Sequence, residues 1–363
     1  MMSRYRPVLR ALLVLSVLLS ALSQAASLRE LRDDLAWPWS LAELPDGRLL
    51  VTEREGALKL LSPEGEVLET ISGVPPVWAK SQGGLFDVLL APDFATSQTL
   101  YLSYAHGGPE ANGTRISRAR LKDGTLAELT PIFTVAPLKA TPVHYGGRIA
   151  WGPEGALYLT TGDGFDYREA AQKLDSLLGK TLRLTADGKP FPGNPFVDAN
   201  GARPEIFSLG HRNPQGLVVT PEGEVWAHEH GPQGGDELNR LEGGANYGWP
   251  VATFGIDYNG ARISPFERYP GMRDSAWHWT PSIGPSGLAY RPTAGEADRG
   301  TFYLGGLAIP GLYAATRQGP EISEVARLLP ELTERLRDVR LAKDGGLFIL
   351  TDGNPGRLLH FAF

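Results

Sequence analysis

Four stretches of this 363-residue chain concentrate polar side chains, three of them beside glycines, where backbone can approach a ligand closely. Val143-His144-Tyr145-Gly146-Gly147-Arg148 is the first, with Thr161-Gly162-Asp163-Gly164 following it. An imidazole near a carboxylate is the usual form of a general base, because the acid fixes the tautomer and steadies the imidazolium. Gly210-His211-Arg212-Asn213-Pro214-Gln215-Gly216 places a guanidinium next to an amide, two donors able to face an anion or a developing oxyanion. The third stretch runs from His228-Glu229-His230-Gly231-Pro232 through Asp236-Glu237 to Asn246-Tyr247-Gly248-Trp249-Pro250 and Asp257. Its two histidines have strand spacing and could serve a transition metal, but the carboxylates, the Gly-Pro turn and the absence of cysteine favour calcium, which takes six to eight oxygens. Arg335-Leu336-Arg337-Asp338 is the fourth. If extended, it carries two guanidiniums on one face, a chelate for carboxylates or phosphates. Each stretch taken singly also has a purely structural reading, so the case rests on their convergence.

Convergence requires a scaffold that collects distant loops. The chain repeats a degenerate unit, an apolar pair, a Pro-Asp-Gly type of turn and then an alternating strand. It occurs at Leu44-Pro45-Asp46-Gly47, Ala91-Pro92-Asp93, Gly152-Pro153-Glu154-Gly155, Thr220-Pro221-Glu222-Gly223 and Ala342-Lys343-Asp344-Gly345, with Gly284-Pro285-Ser286-Gly287 as a weaker sixth copy. Spacings of roughly 45 to 70 residues suit four-stranded blades with variable loops. Six units give an all-β, six-bladed β-propeller, whose channel mouth gathers loops from every blade. Helical periodicity is confined to short pieces near Glu169 to Leu178 and Glu321 to Leu336.

Residues 1–25 read as a secretory signal peptide: Arg4, Arg6 and Arg10, then an apolar run from Ala11 to Leu22, then Ser23-Gln24-Ala25. That run is too short to span a bilayer core of about 30 Å, so the chain is expected to be exported, periplasmic or secreted, with no membrane insertion after cleavage. Residues 26–363 then form one propeller domain, without a cysteine to cross-link it. The whole chain carries a formal charge of −6, and loss of the three arginines leaves 32 basic against 41 acidic residues. Such a surface argues against nucleic acid and anionic membranes as partners, and an anionic ligand must be met by arginines focused at one place.

The four stretches, in this order, resemble the soluble aldose sugar and glucose dehydrogenases that depend on pyrroloquinoline quinone (PQQ). The likeness runs from Gln82-Gly83-Gly84-Leu85 to Thr351-Asp352-Gly353, and the Gly210 to Gly216 and Asn246 to Pro250 segments are its most specific parts. The resemblance implies PQQ and calcium as cofactors, an aldose as substrate and an external quinone or cytochrome as electron acceptor, in a monomer or homodimer. It makes His144 the catalytic base, Asp163 its supporting acid, and Gln82 a contact to sugar or cofactor. Arg212 and Asn213 fall at the quinone oxygens, and Arg335 and Arg337 at the cofactor's carboxylates. The carbonyls of Gly231 and Pro232 match ligands of the catalytic calcium, Glu237 with the carbonyl of Tyr247 a structural calcium, and Asp257 with the carbonyls of Thr253 and Gly255 another. One departure is that Gly305-Gly306-Leu307 runs into Ala308-Ile309-Pro310 without the lysine frequent there. Two other classes compete, a calcium-dependent propeller lactonase and a non-catalytic propeller that binds carbohydrate or protein. The paired arginines count against the first, and His144, Asp163 and Arg212 together against the second.

Overall fold

Short runs of β-branched, leucine and aromatic residues, broken every few positions by Gly, Pro and Asp, favour strands joined by tight turns over helices. In the computed structural model, which describes residues 26–363, they form six four-stranded antiparallel sheets. The signal peptide expected over residues 1–25 lies outside the described residues. Blade 1 comprises Pro38–Glu43, Leu49–Glu53, Ala57–Leu61 and Val67–Thr70, and blades 2 to 5 follow in chain order with innermost strands Leu85–Leu90, Ile149–Trp151, Pro214–Val219 and Pro285–Thr293. Blade 6 takes Leu336–Leu341, Leu347–Thr351 and Gly356–Ala362 from the C-terminal end, and its outermost strand, Ser27–Leu35, from the N-terminal end. Pairing of Ser27 with Ala362 and Leu35 with Gly356 closes the ring. The fold is thus the expected six-bladed propeller.

Apolar side chains fill the wedges between blades. Leu50 and Leu58 of blade 1 meet Leu85, Leu100 and Leu102 of blade 2, and Trp226 and Leu238 of blade 4 meet Leu288 and Phe302 of blade 5. The innermost strands pack on one another around the axis. There, polar groups replace the apolar core. Arg148 pairs with Asp338 at 2.9 Å, Arg340 with Asp338 at 2.8 Å and with Asp87 at 2.6 Å, and Ser40 donates to Asp87. Arg148 also donates to the carbonyls of Gln215 (2.8 Å) and Arg337 (3.3 Å), so one buried guanidinium ties three blades together beneath the site.

Antiparallel order sends alternate connections to opposite ends of a blade. Five of the repeated turns join the first strand of a blade to its second and lie at one end. The sixth, Gly284 to Gly287, is out of phase. It enters the innermost strand of blade 5, whose equivalent turn is the Gly295 region between Pro285–Thr293 and Glu296–Gly306. The helical expectation for Glu321 to Leu336 is also corrected: Glu321–Leu328 is an edge strand paired with Gly311–Gln318, its Ile322 turned into the blade 5 cluster. Around Glu169 only a 3₁₀ turn forms, Arg168–Gln172. Among the described residues no helix is long and apolar enough to cross a membrane.

Candidate functional site

Every residue the sequence nominated sits on the end opposite the repeated turns, or at the start of a strand leaving it. A cavity of about 710 Å³ opens there, over the channel mouth. Trp39, Phe86 and Tyr145 lie together on its lining as a group of tilted aromatic rings, with centres 5.2 and 5.5 Å apart and planes inclined by 43° and 46°. Gln82, Asn213, Gly231, Pro232, Arg335 and Arg337 line it too.

His144 is set by the connection from blade 2 to blade 3. Its φ is 53°, in the left-handed region that non-glycine residues rarely adopt, and Gln82 Oε1 accepts its N–H at 2.9 Å. Gly162 lets the next turn approach, since a Cβ there would lie 2.2 Å from the His144 carbonyl. The Nδ1 of His144 stands 2.7 Å from Asp163 Oδ1, which also accepts the Phe165 N–H at 2.8 Å, while Asp163 Oδ2 accepts Trp249 Nε1–H at 2.7 Å. Burial of His144 lowers its pKa and outweighs the opposing pull of Asp163. Burial works against the ionised form of Asp163, but His144, the Phe165 N–H and Arg212 hold its carboxyl below the usual range. The resting pair is therefore a neutral imidazole donating from Nδ1 to a carboxylate, which leaves the lone pair on Nε2. Its neighbours Tyr145 and Gly146 line the cavity, whereas His144 itself is 5% exposed beneath the edge of the Phe165 ring, 5.2 Å away.

The Gly210 to Gly216 segment is held by Glu229 from the second strand of blade 4. Glu229 accepts from Arg212 N at 2.6 Å and contacts His211 Nδ1 at 2.7 Å. Gly216 admits the His228 ring, because a Cβ would lie 2.2 Å from its Nε2. Asn213 Oδ1 accepts from Gly146 N (3.1 Å) and Gln215 (3.2 Å), joining this turn to the His144 loop. Arg212 Nη1 donates to the Gly231 carbonyl at 2.7 Å and its Nη2 to Tyr258 Oη at 3.2 Å. His228 and His230 donate Nε2–H to the carbonyls of Gly287 (2.7 Å) and Pro285 (2.8 Å), so neither is spent on the other.

Arg335 and Arg337 meet on a residue to which the sequence reading gave no role. Asp352 takes Arg335 on Oδ2 at 2.9 Å and Arg337 on Oδ1 at 2.8 Å. Burial disfavours the Asp352 charge, but Arg337 and then Arg335 hold its pKa below the normal range. Leu307 and Ala308 reach the cavity where the lysine is missing, and the Leu307 carbonyl accepts from Arg335 at 3.1 Å.

For the metals, the donor chemistry fits at Glu237 and at the Gly231 and Pro232 carbonyls. Withdrawal from water and then the Glu229 charge push the Glu237 carboxyl up to about 8, and the nearby buried Oδ1 of Asn239 has no partner. Acids crowded in this way are relieved by a cation. The Gly231 carbonyl keeps a second lone pair beside its bond from Arg212, and Pro232 stands next to it on the cavity wall. Tyr247 stacks on His211 at 5.0 Å, behind the Arg212 turn. Asp257 lies apart, on a smaller cavity of about 220 Å³, where Arg168 faces it at 3.6 Å.

Sequence reasoning gave no role to Trp249, although it stands in a segment that carries the resemblance, and passed over Phe165 and the buried Lys139. Burial pushes Lys139 down to about 7, its Nζ lies 3.6 Å from the Tyr145 ring centre, and it donates to Asn112 Oδ1 at 3.2 Å. One position in the blade, shared by the nominated Asp163 and the quoted His230, could also have found Asp352 and Arg54. Arg54, Asp163, His230 and Asp352 each lie within three residues of the end of a blade's second strand.

A propeller with a histidine–aspartate pair behind the wall of a cavity lined by paired arginines has the make-up of a catalytic site. A model of the glucose/sorbosone dehydrogenase family matches residues 35–360, and the chain belongs to that family. The aldose sugar dehydrogenase YliI of Escherichia coli K12 is 39% identical over 356 residues, 96% of each chain. A crystal structure of a glucose dehydrogenase is similar at a TM-score of 0.88 and 42% identity, covering 93% of this chain and 99% of that one. The PQQ-bound aldose sugar dehydrogenase of Streptomyces coelicolor is similar at a TM-score of 0.76 and 31% identity, over 93% and 98% of the two chains. The protein is an oxidoreductase of the aldose sugar and glucose dehydrogenase type.

Proposed function

We propose that the protein oxidises aldose sugars at C1 to the lactone, using PQQ and calcium, with His144 as general base. The observation that carries this is the shared cavity, with the His144–Asp163 pair behind one wall and Arg335 and Arg337 on another. When bound, PQQ with calcium supplies a two-electron acceptor for hydride from the sugar's C1. His144 takes the proton of the anomeric hydroxyl on Nε2, the nitrogen that its bond to Asp163 leaves free. Asp163, held by Phe165 and Trp249, keeps the ring oriented and steadies the imidazolium. Trp39, Phe86 and Tyr145 offer apolar faces to a planar ring, and Arg335 and Arg337 would hold its carboxylates. Asn213, on the cavity lining, and Arg212, on the smaller cavity with Asp163, would supply donors to a developing oxyanion. Gly231 and Pro232 would supply carbonyls to the catalytic calcium, and Glu237, with Tyr247, would hold a structural one. The lactone then hydrolyses to the aldonic acid, and an external quinone or cytochrome takes the electrons.

Export belongs to the same proposal. It is supported by the sequence of residues 1–25, and mass spectrometry of the exported protein should find an N-terminus near Ala26. For the activity, apoprotein mixed with PQQ and calcium should reduce a dye with several aldoses. Failure with every aldose, despite bound PQQ, would remove the proposed reaction.

A further inference from the structure

We infer that Arg54 is a third arm of the cavity's anion site and takes a carboxylate of the bound ligand that Arg335 and Arg337 leave unmet. The inference deepens the PQQ reading and rests on it. Arg54 leaves the second strand of blade 1, Leu49–Glu53, and lines the same cavity as the other two arginines. Its backbone is fixed on both sides, by its N–H to the Trp37 carbonyl (2.9 Å) and by Leu85 N–H to its own carbonyl (2.8 Å).

The side chain is aimed as well. Gly84, at φ +141°, leaves room for it, since a Cβ there would stand 2.1 Å from the Arg54 carbonyl oxygen and 2.6 Å from its Cγ. The guanidinium lies 4.6 Å over the Trp37 ring. Trp37 in turn has φ 50° and donates its N–H to the Gly353 carbonyl at 2.8 Å, next to Asp352. Three blades therefore meet in this corner, and their backbone hydrogen bonds fix its geometry.

Charge decides what the corner can take. Asp352 spends one oxygen on Arg335 and the other on Arg337. Arg54 is only half-buried, and among the described residues no hydrogen bond or ion pair within 4.0 Å engages its guanidinium. Of the two carboxylates on the cavity lining, Asp352 is taken by Arg335 and Arg337 and Asp236 by the N–H groups of Gly231 and Gly284, and Asp352 and Glu55 act on Arg54 only at longer range, so its guanidinium has no carboxylate bonded to it. An isolated arginine on an aromatic platform at a cavity wall binds carboxylates through its planar fork. A ligand with a single carboxylate would be satisfied at Arg335 and Arg337, whereas one with several has a second place to go. The ligand class assigned to this corner is thus a planar polycarboxylate.

The test measures PQQ binding to calcium-loaded wild type, Arg54→Gln and Arg54→Lys by tryptophan fluorescence quenching, at low and high salt, beside the apoprotein melting midpoints. A charge-assisted hydrogen bond predicts roughly 10- to 100-fold weaker binding for Arg54→Gln, with a shallower salt dependence and an unchanged midpoint. Arg54→Lys keeps the charge but not the fork, and should lose about 3- to 10-fold. If Arg54→Gln does not fold, Arg54→Lys decides on the same criterion. Wild-type affinity in the variants overturns the role of Arg54 and leaves PQQ binding standing. Failure of the wild type to bind PQQ overturns the cofactor reading, and this inference with it.

Discussion

The side chain of His144 has one nitrogen to work with, because Nδ1 is committed to Asp163 and the backbone is pinned by Gln82. Replacing it with alanine should lower kcat by about 10²- to 10⁴-fold while PQQ binding, read by fluorescence, is retained. The base works when neutral and its pKa is depressed by burial. Activity should therefore fall as pH drops through a value below 6.5, the ordinary histidine value, and a limb above it would contradict the assignment. Asp163 does more than lend charge. Both its oxygens accept N–H donors, so Asp163→Asn would set an amide NH₂ against His144, Phe165 or Trp249. A kcat loss of about 10²-fold or more is expected, with the pH limb displaced, since the imidazole tautomer is no longer fixed. Removing Arg335 and Arg337 together should abolish PQQ binding and also lower the melting midpoint, because Asp352 would be left buried without a counter-ion.

The strands and turns explain why some of these residues were legible in the sequence and others were not. His144, Asp163 and Arg212 announce themselves by residue type beside glycines, and the paired arginines by their alternate spacing. Asp352 and Trp249 carry no such marker of their role: the pairing of Leu336 with Thr351 inside blade 6 sets Asp352 against Arg337, and the fold of the 246–250 turn brings Trp249 to Asp163. Repeated Asp-Gly turns gave the blade number, although they lie at the end away from the chemistry, and the sixth copy was one strand out of phase. Glu321–Leu328 reads as helical in isolation, but its pairing with Gly311–Gln318 overrides local propensity. Glu237 carries a consequence for stability. Its folded pKa, about 8, is raised above the unfolded value of 4.5, so in metal-free protein its contribution is present below about 4.5 and lost as pH rises towards 8. Calcium should raise the melting midpoint most at the alkaline end of that window, and Glu237→Gln should remove both effects. A calcium response unchanged in this variant would place the ion elsewhere.

For the molecule as a whole, closure of the ring is the condition for the site. The strand Ser27–Leu35 covers the edge of Gly356–Ala362, and Leu35 is fully buried. Deleting residues 26–35 should cost about 3 kcal/mol or more through Leu35 alone and expose an unpaired strand edge, seen as a lower melting midpoint and aggregation. The same closure sets Asp352 of the last blade beside Trp37 of the first, through the Gly353 carbonyl, and so shapes the cavity. The buried Arg148, Asp338, Arg340 and Asp87 cluster holds the innermost strands beneath it. An overall acidic chain thereby concentrates positive charge at one cavity wall, where a multiply anionic cofactor can be held. The central claim is that an aldose gives up hydride from C1 to PQQ held in this cavity while His144 takes the proton. Stopped-flow mixing of PQQ- and calcium-loaded protein with an aldose, unlabelled or deuterated at C1, tests it most directly. The account predicts loss of the oxidised cofactor absorbance, slowed by C1 deuterium; no loss of that absorbance, or loss at the same rate with both sugars when chemistry limits, would contradict it.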